Sequence, residues 1–517
     1  MKKGILFWLI LLLTGHVLTA AAQDLGRLAD SLNYRVEAQA TVGGGDHSPL
    51  WLNANKYGLS SVKCNYGYLR GGIERLLSAD DGRRWGIGYG VDLALTSGLT
   101  GKFVVQQAFV EARWLKGLLT VGSKQQPMEL KNQELSSGSQ TLGINARPIP
   151  QVRLSLPDYW AIPYTKGWLG LKGHIAYGMQ TDDKWQEDFT QKQNKYTGKT
   201  LYHSKAGYLR IGKDQKPFSV ELGLEMACQF GGTTYQESPE RPVIENESNL
   251  KAFLHAFIPG GGETVESTYA NKGGNQVGSW LMRLNYQTEA WKVSVYGEKY
   301  FEDESAMFMI DYDGYGTGDE WNVKKDNRYL LYDLKDMMLG AELNLRHGTW
   351  IRDIVFEYLY TKYQSGAVYH DRTISFPDHI GGLDEYYNHY IYTGWQHWGQ
   401  VMGNPLYRSP LYNDDGRILV EDNRFWAWHL AATGTPFDGW SYRVLSTWQR
   451  GFGTYDKPLV SPRRNMSFLA EVGYRFPETA MLAGWSVKGA LGMDRGGLLG
   501  DNVGLQLTIG KTLKIER

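Results

Sequence analysis

The segment 386–398, which reads YYNHYIYTGWQHW, places aromatic rings beside side chains that form hydrogen bonds. Sugar-binding proteins commonly lay a ring against the C–H face of a sugar, because a stiff ring buries area at a low entropic cost. The segment is therefore our candidate for contact with a glycan, and the alternative is that its rings only pack it against the rest of the fold. The candidate residues are Tyr386, Tyr387, His389, Tyr390, Trp395, His397 and Trp398.

A second candidate is the proline-rich segment 145–167. Proline restricts φ and removes a backbone donor, so we expect this segment to be extended and shaped by packing. No clear strand pattern occurs anywhere in 123–167. The segment is a candidate partial plug for an enclosed lumen, and a purely structural role fits it equally well. The residues concerned are Arg147, Arg153, Asp158, Tyr159 and Trp160.

Metal binding and catalysis receive little support from the sequence. The acidic segment 311–322 contains Asp311, Asp313 and Asp319, whose oxygens suit Ca²⁺, but it fails the EF-hand spacing, and a solvated turn is the better interpretation. The histidines are scattered, and no nucleophile-elbow, zinc-protease or paired-cysteine motif is present. We therefore expect neither an enzyme nor a cofactor.

Composition excludes further classes of protein. The 517 residues include 55 Lys and Arg and 55 Asp and Glu, so no basic excess exists to bind nucleic acid. Only Cys64 and Cys228 are present, which excludes a disulfide scaffold and leaves a single disulfide or two free thiols. Glycine is abundant at 62 residues, and Trp, Tyr and Phe supply much of the apolar content.

The N-terminus predicts the compartment. Residues 1–22 combine Lys2 and Lys3 with an apolar stretch and end in small residues, as a secretory signal peptide does. An uncleaved membrane anchor is the alternative. Residues 24–33 place leucines on one helical face, which predicts a short periplasmic helix over 23–33.

Most of the remaining chain alternates apolar and polar residues with the period of a β-strand, as in 84–96, 219–229, 339–346 and 503–510. Many alternating runs are 10–13 residues long and end in tryptophan. Membrane strands need about 9–11 residues and place aromatic rings at both lipid interfaces. The pattern favours an all-β, transmembrane antiparallel barrel over a secreted soluble β-protein.

We expect a monomeric barrel of 16–18 strands, with 18 favoured, because bacterial barrels close with an even number. It would cover residues 34–517, with long loops near 123–167, 302–336 and 364–423. Its place would be the outer membrane of a Gram-negative cell, in contact with lipid and with its loops exposed at the surface.

Several non-strand motifs resemble the Wzi family of capsule-assembly outer-membrane proteins. They are SPLWLNANKYG (48–58), NARPIPQVRLSLPDYWAIPYTKGWLGLKG (145–173), LYHSK (201–205), YFEDES (300–305), GNPLYRSPLYN (403–413) and GWSYRVLSTWQRGFGTY (439–455). The resemblance implies an 18-stranded, lectin-like barrel that binds capsular polysaccharide and takes part in capsule assembly and attachment. A passive porin, whose lumen conducts solutes, is the main alternative, and an outer-membrane hydrolase is a third.

Overall fold

The wall of the protein is one antiparallel sheet of 18 strands that closes on itself. Each strand pairs with the next along the chain, and the first strand also pairs with the last, from Leu32 opposite Ile515 to Gly44 opposite Val503. Closure pairs both edges of every barrel strand, which removes the exposed edges that invite aggregation. The predicted barrel, with its favoured strand number, is confirmed.

The structure is a computed structural model, and it describes residues 28–515 apart from 214–215, 238–242, 259–273, 303–306, 308–309, 312–322, 324–327, 330–335, 371–378 and 384. The predicted signal peptide, 1–22, lies outside the described residues. The barrel strands are β1 (Leu32–Gly44), β2 (Tyr66–Arg75), β3 (Trp85–Ser97), β4 (Phe103–Trp114), β5 (Gly117–Ser123), β6 (Gln151–Ala161), β7 (Leu169–Met179), β8 (Leu201–Ile211), β9 (Phe218–Phe230), β10 (Asn275–Gln287), β11 (Trp291–Glu302), β12 (Met337–Leu345), β13 (Asp353–Tyr360), β14 (Phe425–Gly434), β15 (Trp440–Gly453), β16 (Pro458–Arg475), β17 (Trp485–Gly496) and β18 (Asn502–Ile515).

Among the described residues, three short α-helices lie in the connections: α1 (Leu50–Asn53), α2 (Asp183–Thr190) and α3 (Leu250–Phe257). In the part of the chain that the structure describes, no helix is both long enough and apolar enough to cross a membrane. The connection between β13 and β14 also contains two small hairpins. They are Ser365–His370 with His379–Leu383, and Gln396–His397 with Gln400–Val401.

The barrel wall is apolar outside and polar inside. On β18, Leu507 is 50 % exposed on the outer face, whereas its neighbour Gln506 is 5 % exposed on the lumen side. A soluble sheet buries its apolar face, so this inverted arrangement is typical of a wall that faces lipid.

Glycine on the lumen side makes room for rings that point inward. A Cβ atom added to Gly223 would lie 2.7 Å from Cδ1 of Tyr208, closer than real Cβ contacts allow. The Tyr208 hydroxyl in turn donates to Glu225 Oε1 at 2.7 Å. Part of the glycine excess in the composition therefore serves inward packing.

The two rims of the barrel differ. At one rim, the short-turn rim, strands are joined by brief connections such as 115–116 and 288–290. At the other, the long-loop rim, the connections include 45–65, 124–150, 231–274 and 361–424. Most strand-end tryptophans lie at the short-turn rim, where Trp85 and Trp114 stack with ring centroids 5.9 Å apart. An aromatic belt at a lipid–water interface has this arrangement.

Two boundary predictions were wrong. The predicted loop 123–167 contains β6, which pairs with β5 and β7. The β6–β7 pairing shifts register between Leu156 and Trp160, around Pro157, which has no N–H to donate to the ladder. This irregularity hides the alternation in the sequence.

The second wrong boundary is the end of the N-terminal helix predicted over 23–33. The described chain starts at residue 28, and by Leu32 it is already in β1, paired with Arg75 of β2 and with Ile515 of β18. Pairing on both sides outweighs a local helical period.

The lipid-facing assignment predicts a depth-dependent cost for charge. We expect Leu507→Arg, in the middle of the outer face of β18, to lower the free energy of unfolding by about 2–4 kcal/mol, and Leu513→Arg, near the rim, by about 0–1 kcal/mol. Reversible urea unfolding in lipid vesicles measures both. Equal costs at the two positions would contradict the assignment.

Candidate functional site

Three connections from the long-loop rim fold back into the lumen and form one packed body, which we call the plug: residues 45–65, 124–150 and 385–424. Leu52, Leu135 and Trp395 are fully buried in it and share a hydrophobic core with wall residues such as Val277 and Leu359. The motifs SPLWLNANKYG and GNPLYRSPLYN therefore serve to fill the barrel interior.

A carboxylate on β11 fastens the plug to the wall. Glu298 forms a buried salt bridge with Lys131 of the plug. Its other oxygen, Oε1, accepts hydrogen bonds from the backbone N–H of Gln140 at 3.0 Å and from the hydroxyl groups of Ser139 at 3.2 Å and Ser279 at 2.9 Å. A buried carboxylate is tolerated only when it is paired and hydrogen-bonded in this way.

A second carboxylate, on β13, holds the neighbouring turn of the plug. Glu357 accepts from the Ser136 hydroxyl at 2.7 Å, from the Ser137 backbone N–H at 2.8 Å and from the Tyr296 hydroxyl at 2.6 Å. One residue earlier in the plug, the Leu135 carbonyl oxygen lies 2.8 Å from Nε2 of His429 on β14. Consecutive plug residues are thus bonded to different strands.

The plug segments are also bonded to one another. The Tyr387 hydroxyl donates to the Gln140 carbonyl oxygen and accepts from the Asn404 backbone N–H at 3.0 Å. Asn145 Nδ2 donates to the Val401 carbonyl oxygen at 3.0 Å. Segments 124–150 and 385–424 therefore form one cross-linked unit.

Most of the predicted glycan-contact residues belong to this interior. Tyr386, Tyr387 and Trp395 are 0 % exposed, and His397 is 1 % exposed. The prediction that these four side chains contact a sugar is wrong for this conformation, because no ring face is open to a ligand. Their size and polarity instead serve the plug, where the Tyr387 hydroxyl, the Trp395 indole and the His397 ring each reach a backbone group.

Tyr390 and Trp398 remain accessible among the candidates. Tyr390 is 58 % exposed and Trp398 is half-buried. His389 is half-buried, and its Nδ1 accepts from the backbone N–H groups of Ile391 at 3.0 Å and Tyr392 at 3.2 Å. Burial, together with the nearby Lys195 ammonium, lowers the pKa of His389 to about 3.

Trp398 occupies the tip of the hairpin formed by Gln396–His397 and Gln400–Val401. Trp398 and Gly399 both have positive φ, +56° and +78°, as a two-residue type I′ turn requires. A bulky residue rarely adopts this conformation. A backbone held at such a positive φ persists only where surrounding contacts impose it, and such positions often occur at functional sites.

The surroundings of Trp398 hold it firmly. Its backbone N–H donates to Asp182 Oδ2 at 3.0 Å, and its indole N–H donates to Thr181 Oγ1 at 3.3 Å. The Arg147 guanidinium lies 4.5 Å from the ring centroid. Burial lowers the pKa of Arg147 to about 10, so this side chain remains a cation at neutral pH.

Two further rings extend this surface on α2. Trp185 and Phe189 stack with centroids 5.0 Å apart, both half-buried. Trp185 also lies against Gly399, where an added Cβ would come 2.6 Å from the indole. We call Arg147, Thr181, Trp185, Phe189 and Trp398 the aromatic rim patch. Sequence reasoning missed Trp185 and Phe189, although their i, i+4 spacing was a readable signal.

Of the five residues predicted to lie in a plug, only one does so in the structure, and the other four belong to the barrel wall. Arg147 lies in the plug, but Arg153, Asp158, Tyr159 and Trp160 lie in β6 and so belong to the wall. Trp160 is 41 % exposed. The assignment of these four residues to a plug was wrong, because the strand continues through the irregularity at Pro157.

No metal site is found in the described part of the chain, where no three His, Cys, Asp or Glu side chains are grouped to hold an ion. Asp311 lies in the short strand Ile310–Asp311, and the other calcium candidates, Asp313 and Asp319, lie outside the described residues. Cys64 and Cys228 are separate free thiols.

The fold and the inverted wall define an outer-membrane β-barrel. Among solved structures, the chain is similar to Wzi of Escherichia coli, described as an outer-membrane protein involved in group 1 capsule assembly and a carbohydrate-binding β-barrel. The TM-score is 0.53 at 14 % identity, covering 97 % of this chain and 88 % of that one.

Lower similarity is found to Pseudomonas aeruginosa OprD, with TM-score 0.43, 9 % identity and 95 % and 96 % of the two chains covered. Acinetobacter baumannii OccAB2 matches with TM-score 0.46, 9 % identity and 94 % and 98 % covered. No family model and no curated protein sequence matches the chain.

The salt bridge between Lys131 and Glu298 predicts a large penalty for removing one partner. We expect Glu298→Ala to destabilise the plug by about 3–5 kcal/mol, because the Lys131 ammonium would stay buried without its counter-charge. Hydrogen exchange of the amides in 131–140 reports the change. The double variant Lys131→Met/Glu298→Gln, which removes both charges, should recover much of the protection. Unchanged exchange in Glu298→Ala would contradict this anchoring.

The pKa of His389 predicts that the plug loosens in acid. Because its folded pKa of about 3 lies below the ordinary value of about 6.5, the unfolded segment binds the proton more readily. The stability supplied by the neutral ring is present above pH 6.5 and falls, by up to about 1.4 kcal/mol per pH unit, as the pH drops toward 3.

The control for this pH effect is His389→Asn, which keeps an acceptor but does not titrate. Plug amide exchange measured between pH 7 and pH 4 should depend less on pH in the variant than in the natural protein. Identical slopes would show that His389 is not the responsible group.

Proposed function

We propose that this outer-membrane barrel binds surface polysaccharide and takes part in capsule assembly and attachment at the surface of a Gram-negative cell, as a monomer and without catalysis. The observation that carries the proposal is the aromatic rim patch, in which a strained Trp398 is fixed beside the Arg147 guanidinium. Outer-membrane barrels have short periplasmic turns and longer extracellular loops, so the long-loop rim would face the exterior.

The chemistry of the patch suits a glycan. The partly open indole of Trp398 and the stacked rings on α2 offer apolar planes to sugar C–H groups. The exposed Thr181 hydroxyl adds a polar group beside these planes, and the buried Arg147 guanidinium supports the Trp398 ring from within. A turn that is fixed before binding loses little conformational entropy when a ligand arrives.

The similarity to the carbohydrate-binding Wzi barrel supports the same function at the level of the fold. A passive porin, by contrast, requires an open lumen through which solutes can pass. Here the plug shares a hydrophobic core with the wall and is hydrogen-bonded to several strands, which favours a binding role at the rim over conduction.

Removal of the patch rings should weaken polysaccharide binding. We expect Trp185→Ala/Trp398→Ala to bind purified capsular polysaccharide about tenfold more weakly, because two stacking rings are lost. Cells carrying the variant should retain less capsule and release more polysaccharide into the medium. The matched control, Trp85→Ala/Trp114→Ala, removes two rings at the opposite rim and should bind as the natural protein does.

Barrel abundance and heat-modifiable migration show whether both variants fold. Unchanged retention and unchanged binding in a folded patch variant would contradict the proposed site.

A further inference from the structure

A cavity lies inside the barrel, between the plug and the short-turn rim. Its volume is about 630 Å³, within the usual range of ligand sites of about 300–1,000 Å³. Asn55, Lys56 and Tyr57 of the plug form its inner end, and Arg475 and Thr512 lie where β16 and β18 approach the short-turn rim. We call this cavity the vestibule.

The charges of the vestibule are unbalanced, although those of the whole chain are equal in number. Three arginines are offset by carboxylates: Arg70 by Asp92, Arg443 by Glu471 and Arg352 by Asp353. Four other basic side chains line the same space, against two remaining acids, Glu37 and Glu134. The basic residues are Arg35, Lys56, Arg475 and Lys488.

Lys56 is carried into the vestibule on the plug. Its ammonium donates to Gln506 Oε1 at 2.5 Å. Burial is the main cause that lowers the pKa of Lys56 to about 7, with Arg443 and Lys488 acting in the same direction and Glu471 and Glu37 opposing them. An anion placed beside it would favour the charged form.

The unused hydrogen-bonding atoms of the vestibule also indicate a ligand. Gln39 is 7 % exposed, and its Nε2 has no hydrogen-bond partner, although its Oε1 accepts from the hydroxyl groups of Tyr68 and Thr508. The Nε of Arg443 is likewise an unused donor, and Oδ1 of Asn55 is an unused acceptor. Buried polar atoms are normally satisfied, so such atoms require an explanation.

From these observations we infer that the vestibule binds an acidic saccharide. The ligand would enter the vestibule from the short-turn rim. The cations and unused donors fit carboxylate oxygens, and the unused acceptor fits a sugar hydroxyl. Tyr68, whose hydroxyl reaches Glu37 and Gln39 on the lumen side, also lines the cavity and supplies a ring of the kind that sugars pack against. The site is separate from the aromatic rim patch and does not depend on it.

Calorimetric titration of the full-length protein in detergent tests the inference. The probes are trigalacturonate, the neutral sugar maltotriose and inorganic phosphate. We expect trigalacturonate to bind at least about tenfold more tightly than maltotriose or phosphate, and to bind more weakly in high salt, where charges are screened. Phosphate binding as tightly would show a simple anion site, and maltotriose binding as tightly would show that charge is irrelevant. Either result overturns the inference.

Substitutions in the vestibule and in the aromatic rim patch show where trigalacturonate binds. Lys488→Gln should weaken trigalacturonate binding about threefold and Lys488→Gln/Arg475→Gln about tenfold, since each removes one partly screened charge. Lys116→Gln, on the same rim but outside the cavity, is the matched control. Trp185→Ala/Trp398→Ala should leave this binding unchanged. If the rim-patch variant loses it and the vestibule variants keep it, the ligand sits at the patch and the vestibule site is refuted.

A different observation concerns the outside of the wall, where α3 covers β7–β9 near the long-loop rim. Ala252 and Ala256 of the helix pack with Cys228 and Phe230 of β9. The Tyr177 hydroxyl donates to the Phe253 carbonyl oxygen at 2.9 Å.

The Lys205 ammonium reaches carbonyl groups at the C-terminal end of α3, those of Ala256 at 3.4 Å and Phe257. A cation is favourable at that end of a helix. The helix is therefore docked onto the barrel exterior.

The opposite face of α3 is apolar and exposed. Leu250, Leu254 and Ile258 follow the i, i+4 spacing and are 78 %, 57 % and 64 % exposed. This face is continuous with the apolar outer surface of β7, where Ile175 and Met179 are also exposed. We propose that α3 lies in the membrane interface with these three side chains among the lipid acyl chains, as an amphipathic interfacial helix does.

Nitroxide accessibility in lipid vesicles tests this placement. Labels would be attached to Leu254→Cys, His255→Cys and Leu507→Cys, each in a Cys64→Ser/Cys228→Ala background. The Leu254 label should resemble the Leu507 label, with high accessibility to oxygen and low accessibility to a water-soluble nickel chelate, and the His255 label, about 100° further round the helix, should show the reverse. Equal nickel accessibility at Leu254 and His255, or dipolar broadening from a second copy at Leu254, would overturn the lipid assignment.

Discussion

The width of an 18-stranded barrel is the constraint on which the rest of this structure depends. Barrels of this size enclose a lumen that the side chains of the wall do not fill. The chain fills it with the plug, whose apolar side chains join inward-facing residues of the wall in one core. Closing the barrel and packing its interior are therefore linked problems, and the long connections at one rim solve the second.

The position of the plug is set by polar contacts, because apolar packing alone is not directional. Glu298 and Glu357 project from neighbouring parts of the wall, and each accepts several hydrogen bonds from the stretch 131–140. Burying these carboxylates is costly unless every partner is in place. The hairpin with Trp398 at its tip is fixed in a similar way, because the buried Asp182 carboxylate accepts from the Trp398 backbone N–H.

The sequence was most informative where period and chemistry coincide. Strict alternation on β3, β9 and β18 predicted the strands, and the secretory signal, the strand lengths and the strand-end tryptophans predicted that the wall faces lipid. Pro157 interrupts the pattern in β6, so the sequence predicts a loop where the structure has a strand. The ring-rich segment 386–398 was identified as important, but Tyr387 and Trp395 are interior residues. Composition cannot separate a ring that stacks on sugar from a ring that packs a plug, because both need an apolar plane with a polar edge.

The pairing of Lys131 with Glu298 also could not be predicted from the sequence. Each residue is ordinary in its own segment, and the contact joins positions far apart in the chain. In this structure the plug occupies the lumen, so we expect binding only at the ends of the barrel. Conductance in planar lipid bilayers, with the natural protein compared with Glu298→Ala/Glu357→Ala, shows whether the lumen is closed. We expect little steady current through the natural protein and frequent openings in the variant. A large, steady current through the natural protein would contradict this expectation and favour a porin.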